Sequence, residues 1–317
     1  MNISQNKPFY KVISLFIKSA ILFFSFYYIW KRLDEASASL DFFQLFSLEN
    51  SFFILLILLL MFVNWSFEAL KWKLLIAPLE TISFKTSLKG IFSGITMSIF
   101  TPNRVGEFAG RVFFLEKADK IQASVMSLIG SALQFFVTII AGVLGYCLLE
   151  KKYYDFFQTE QFISTDMLLI LIGFFVLIVI VAIYFVYKKQ TTFFKKYIDL
   201  IKMHSKKELN SVFYLSFYRY AVFSIQYYLA LRVFGINGGT MILFSLIALT
   251  FFVTSVIPTF ALTEIAVRTG VAIYFFGTIS SSHVSILAAS LFLWIINLAV
   301  PALIGSAFVW KLKFFKE

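Results

Sequence analysis

Apolar residues run through this chain in long unbroken stretches, with neither the alternation of a half-buried strand nor the one-sided stripe of a soluble helix. Six stretches reach the length of a membrane-spanning helix: about 11–30, 51–71, 121–149, 166–187, 211–234 and 284–310. Two further regions, about 86–117 and 240–277, are apolar but interrupted at Pro102 and Pro258. Each holds two halves of roughly 15 residues, about 22 Å as helix, short of a hydrocarbon core of about 30 Å. Proline disfavours helix in the residue before it, so a break at both sites is expected. The pattern predicts a re-entrant helical hairpin in each region. One long kinked span with an added surface helix is the competing arrangement.

Composition sharpens the class. The chain is 60% hydrophobic and only 14% charged, which a soluble chain of 317 residues is not. The reading is a single all-α polytopic membrane domain over residues 1–317, since no inter-helix segment exceeds roughly 25 residues, too few for an independent soluble domain. Cys147 is the lone cysteine, which excludes an internal disulfide, and its apolar surroundings suggest an inert core thiol. His204 and His283 fall in predicted loops, so no metal cluster or other cofactor is expected. Ala36-Ser37-Ala38, after the first apolar run, faintly resembles a cleavage site, but Lys31, Arg32, Asp34 and Glu35 intervene and a retained first helix is expected.

The net charge of +11 would suit nucleic acid were it not for its distribution. Residues 71–89 carry Lys71, Lys73, Lys85 and Lys89 against Glu80, net +3. Residues 188–210 carry seven lysines against Asp199 and Glu208, net +5, and Lys311, Lys313 and Lys316 outnumber Glu317 at the C-terminus. Residues 31–50 and 150–166 are each net −2. Short basic loops lie on the cytoplasmic side, so both termini are expected inside and no nucleic-acid partner is expected. The basic 188–210 loop reads as a topology determinant and an anionic-lipid contact. With this assignment the first hairpin enters from the cytoplasm and the second from outside. A first helix (11–30) then precedes repeat one (about 51–149), a linking helix and basic loop (166–210), and an inverted repeat two (about 211–310). Inverted repeats with broken helices place a substrate site near the midplane.

Charge at membrane depth is rare and marks candidate function. Pro102 is followed by Arg104, Gly106, Glu107 and Arg111, and Pro258 by Glu264 and Arg268. Both Glu-x-x-x-Arg pairs put acid and base on one helix face, and Arg104, three residues before Glu107, shares the first. Arg219 lies within a predicted span and Arg232 near its outer end, whereas every lysine except Lys18 falls in a loop or at a helix end. Guanidinium binds carboxylate or phosphate through two parallel hydrogen bonds, so arginines at the breaks either pair internally or hold an anionic headgroup. If each Glu–Arg pair satisfies itself, Arg104 or Arg219 remains for a ligand. Glu68 is the third acid at membrane depth, and Asn64, Gln134, Gln226 and Asn297 are polar positions inside spans, read first as hydrogen-bond partners between helices and secondarily as substrate contacts. Gly106/Gly110 and Ala266/Gly270 have the spacing of close-packing helices. Trp30, Trp72 and Trp310 read as interface anchors.

At Thr101-Pro102-Asn103-Arg104-Val105-Gly106-Glu107-Phe108-Ala109-Gly110-Arg111 the chain resembles the lysylphosphatidylglycerol synthase transmembrane family, the flippase-like domain of multiple-peptide-resistance-factor proteins. The resemblance covers roughly residues 10–310. It implies roles for Pro102, Arg104, Gly106, Glu107 and Arg111, and in the second half for Pro258 and Glu264, with Arg268 added by the internal repeat. The second copy lacks the glycines of the family's Pro-Gly-Gly pattern. The family's soluble aminoacyl-transfer domain is absent from this sequence, so no synthase activity is implied. The resemblance implies a lipid transporter of the bacterial cytoplasmic membrane for an anionic or aminoacylated phospholipid-like headgroup. Arg104, Arg111, Arg219 and Arg268 would meet the phosphate, with Glu107 and Glu264 beside them. No G-x-x-x-x-G-K-[ST] loop occurs. The alternative is a membrane-embedded lipid-modifying transferase. Membrane lipids are the expected partners, with a second copy of the chain or a separate lipid-synthesising enzyme as further candidates.

Overall fold

In the computed structural model the described residues are 48–99, 101, 104–149, 173, 199–257 and 261–310. Pro102, Pro258, the stretches at 11–30 and 166–187 except residue 173, the 150–166 loop and the C-terminal lysines lie outside them. The described residues are helical, in the order α1 (Leu48–Ile76), α2 (Phe84–Ser98), α3 (Gly106–Val112), α4 (Lys120–Cys147), α5 (Lys206–Val233), α6 (Thr240–Val256), α7 (Ala261–Phe276), α8 (His283–Trp294), a π-helical turn (Ile295–Ala299) and α9 (Val300–Trp310).

Local chemistry sets the helix ends. Ser83 accepts from Thr86 N at 3.1 Å to start α2, and Asp119 accepts from Ile121 and Gln122 N at 2.9 and 3.0 Å to start α4. Ser205 and Glu208 close a reciprocal capping box on α5. That helix stops where Gly235 adopts φ 77°, which a residue with a Cβ rarely takes.

Among the described residues three helices are long and apolar enough to cross a membrane, Asn50–Ile76, Lys120–Cys147 and His283–Trp310. Their outward positions, among them Phe52, Leu55, Leu59, Leu128 and Phe136, are large, apolar and exposed, as a lipid-facing surface requires. The helix α5 has 28 residues, about 42 Å, and is less apolar.

The helices pack antiparallel in pairs. Gln226 Nε2 donates to Ile57 O (2.9 Å) and Arg219 Nη1 to Glu68 (2.8 Å), which fixes α1 against α5. Thr96 Oγ1 donates to Ala302 O (2.7 Å), and a Cβ on Gly305 would overlap Phe92 O, so α2 and α9 touch backbone to backbone. Gly142 meets Phe252 and Gly145 meets Ala248, joining α4 to α6. Within the first broken region α3 folds back on α2, because Gly94 and Gly110 leave no Cβ between them. The second small-residue pair does not pack this way: Ala266 and Gly270 are exposed, with open space at Gly270.

Several expectations need correction. The second half of the first broken region is a helix of only 7 residues, not roughly 15. Its C-terminal end opens into a turn where Glu80 accepts from the N–H groups of Glu116, Lys117 and Ala118 (2.8–3.2 Å), using donors a longer helix would need. Burial works against this carboxylate, yet the three donors win and hold its pKa below the ordinary glutamate value. Trp72 is fully buried and not an interface anchor, because α1 continues to Ile76 and carries it into the core. Lys71 is buried on the same extra turn and is not a loop lysine. Cys147 is exposed at the end of α4 and not in the core. His204 is buried rather than in an open loop, its ring nitrogens facing Leu200 O and Leu75 O at 3.2 and 3.1 Å.

Candidate functional site

Glu68 is the hub of the buried charge. Its Oε2 pairs with Lys71 at 2.7 Å and with Arg219 at 2.8 Å, and its Oε1 accepts from Arg111 at 2.8 Å. Arg111 Nη2 also pairs with Glu107, one turn earlier on α3. One carboxylate thus holds three cations from α1, α3 and α5. Removing either partner of such a pair leaves a charge stranded away from water, which costs about 3–5 kcal/mol. Lys71 donates further to Gln134 on α4 (3.5 Å), whose amide donates to Ser216 O (3.2 Å).

A polar ladder continues along α1. Arg219 Nε donates to Asn64 (3.2 Å), and Asn64 Nδ2 donates to Asn297 (3.3 Å). Asn297 sits in the π-helical turn, four residues before Pro301. Proline lacks the N–H that would reach the Asn297 carbonyl, and its ring crowds that carbonyl. The chain widens by one residue instead, the kind of bulge that recurs at functional sites. Arg219 also lies over the Trp65 ring, 4.9 Å from its centroid.

A cavity of about 210 Å³ opens beside this ladder. Asn64, Trp65, Arg104, Gln134 and Thr138 line it from the first half of the fold. Arg219, Tyr220, Phe223, Phe251, Thr254, Ser255, Glu264, Arg268, Trp294, Asn297 and Leu298 line it from the second. Polar and charged groups are therefore concentrated on a floor of aromatic rings, with Phe223 and Phe251 stacked at 4.8 Å.

Arg104 stands apart from the other arginines. It is the one non-glycine residue with positive φ among the described residues, at 58°. That conformation costs on the order of 1–2 kcal/mol and persists only where surrounding structure imposes it. Thr101 helps to impose it: its hydroxyl accepts from Gly106 N (2.7 Å) and its carbonyl from Arg104 N (3.3 Å). Arg104 lines the cavity, with its Nε buried and without a hydrogen-bond partner. Its charge acts on both Glu107 and Glu264, one from each broken region. Across the cavity Arg268 pairs with Glu264 at 2.9 Å.

Of the residues singled out in the sequence, Arg104, Arg219, Glu264, Arg268, Asn64, Gln134 and Asn297 share the cavity. Glu68, Glu107 and Arg111 lie behind its wall in the ion-pair network. Gly106 begins α3, and Gln226 bonds to α1 away from the cavity. Sequence reasoning missed Lys71, Trp65 and Thr254. The Glu68-x-x-Lys71 spacing was a signal for the first, and Pro301 within an apolar run was one for the bulge at Asn297. No group of three or more His, Cys, Asp or Glu side chains suited to a metal ion occurs among the described residues.

No curated protein and no solved structure matches this chain. The description lysylphosphatidylglycerol synthase TM region matches residues 12–308, nearly its whole length. The chain, with its apolar helices, belongs to that family of lipid-related membrane proteins.

Proposed function

We propose that this protein moves a phospholipid-like headgroup across the bacterial cytoplasmic membrane, with its acyl tails left in the bilayer. The observation that carries the reading is the cavity itself. It gathers Arg104 from the first broken region, Glu264 and Arg268 from the second, and Arg219 between them. Guanidinium groups in an aromatic-floored cavity suit a phosphate. The tertiary pairing supports two inverted repeats: α1 packs antiparallel on α5, and the contacts of α2 with α9 mirror those of α6 with α4. Rocking of one repeat against the other would then expose the cavity to each side in turn. The basic 71–89 and 188–210 segments support cytoplasmic termini.

On this reading the Glu68 network is scaffold and the chain modifies no lipid. A second copy, or a separate enzyme that makes the lipid, is the proposed partner. The test is reconstitution of the purified protein in liposomes with fluorescently labelled phospholipids and an impermeant quencher. Rapid loss of the protected inner-leaflet signal, abolished by Arg104→Ala, is the expected result. Translocation unchanged in Arg104→Ala and Glu264→Ala would refute the site assignment. A new lipid product made by the protein alone would favour the transferase.

A further inference from the structure

The charges around the cavity do not balance. Among its lining residues the ionised groups are Arg104, Arg219, Arg268 and Glu264, three positive and one negative. Behind the wall Glu68 and Glu107 are matched by Lys71 and Arg111, two against two, through direct ion pairs. The whole cluster therefore carries the same net +2 as the cavity lining alone. Among the described lining residues nothing else offsets it, since the remaining polar groups are amides, hydroxyls and indoles. Lys71 donates to Glu68 and to Gln134, the arrangement of a charged ammonium.

An unbalanced double positive charge is costly away from water, and the cost falls when an anion enters. The number of negative charges decides how far it falls. A phosphodiester headgroup supplies one and leaves +1. A lysyl ester of a phosphatidylglycerol adds two ammonium groups to one phosphate, so its entry raises the total to +3. A phosphomonoester with its second proton lost, or a diphosphate diester, brings the site to neutrality. Arg104 offers a buried Nε without a partner, and Arg268 keeps a third of its side chain exposed, so both sides of the cavity have donors to give.

Resting on the transport reading above, we infer that the preferred headgroup carries two negative charges, a lipid phosphomonoester or diphosphate diester, and that the cavity discriminates against aminoacylated headgroups.

The test is binding to the purified full chain in detergent at pH 8, where a phosphomonoester with a second pKa of about 6 is doubly ionised. The fluorescence of Trp65 and Trp294, both on the cavity wall, reports occupancy. The probes are dihexanoyl phosphatidic acid, dihexanoyl phosphatidylglycerol, its lysyl ester, and inorganic phosphate. Phosphatidic acid is expected to bind roughly tenfold or more tighter than phosphatidylglycerol, and the lysyl ester weakest. Arg268→Gln removes one positive charge and is expected to narrow the preference for phosphatidic acid to about threefold or less. Arg104→Gln is a second, independent removal should the first variant fail to fold. Equal or tighter binding of phosphatidylglycerol or its lysyl ester overturns this inference and leaves the transport reading standing. Inorganic phosphate binding as tightly as phosphatidic acid supports the charge inference and overturns the lipid reading. Silence from every probe overturns both.

Discussion

Two Glu-x-x-x-Arg pairs of identical spacing end in opposite circumstances. Glu107–Arg111 sits on a helix of only 7 residues, clamped to α2 and tied to Glu68, with 2% of the Arg111 side chain exposed. Glu264–Arg268 sits on α7 beside the cavity, with 33% of the Arg268 side chain exposed and no second carboxylate on it among the described residues. An i, i+4 ion pair is a local device that either region can make. What surrounds it decides whether the arginine braces the fold or faces a ligand. The first pair is locked because α1 brings Glu68 to it. The second is left available because no equivalent acid arrives.

The largest expected effect tests the locked side. Glu68→Ala takes the carboxylate from Lys71 and Arg219 and leaves Arg111 with Glu107 alone, and should lower stability by about 3–5 kcal/mol; thermal unfolding in detergent reads it. An unchanged midpoint would show that the hub braces nothing. Gly110→Val comes next. Its side chain would collide with Gly94, and overpacking at such a contact costs about 1–3 kcal/mol, read by the same assay.

On the open side the effect should reverse in kind. Arg268→Gln leaves the buried Glu264 with an amide donor in place of the guanidinium and is expected to cost less stability than Glu68→Ala, yet to slow lipid translocation roughly tenfold, measured with the quencher assay. A variant that unfolds readily would make the second pair a brace like the first.

The smallest effect concerns the loop that ends the short helix. Glu80 has a depressed pKa in the fold, so its contribution is present above the ordinary glutamate pKa and fades as pH falls through the folded value. Glu80→Gln should cost about 1 kcal/mol or less and should flatten the acid limb of stability against pH. An acid limb identical in both proteins would remove Glu80 from that account.

Much of this was legible along the chain. The apolar runs, the breaks beside Pro102 and Pro258, and the arginines clustered at them follow from one-dimensional spacing. Arg104 and Arg111 both keep a buried Nε without a hydrogen-bond partner, whereas Arg219 bonds through its Nε to Asn64 and through Nη1 to Glu68. Burial of Lys71 and Trp72 was not legible, because both sit at the point where the apolar run stops. A lysine there looks like a solvated end until a carboxylate one turn earlier and an amide from α4 close over it. The pairing of Asn64 with Asn297 was equally hidden, since the two are 233 residues apart.

By itself the sequence determined an all-helical membrane-protein class, the positions of the breaks, and which ionisable groups stand within apolar segments. These depend on near neighbours: transfer free energy sums along a segment, and a proline acts within a turn. Only the tertiary structure decided which of those groups cancel. Three cations converge on Glu68 while Arg104, on a left-handed backbone, lines a cavity with a surplus of positive charge. Charge balance is a property of what meets in space. It was settled by helices packing antiparallel across long separations in the chain, where no local pattern can record it.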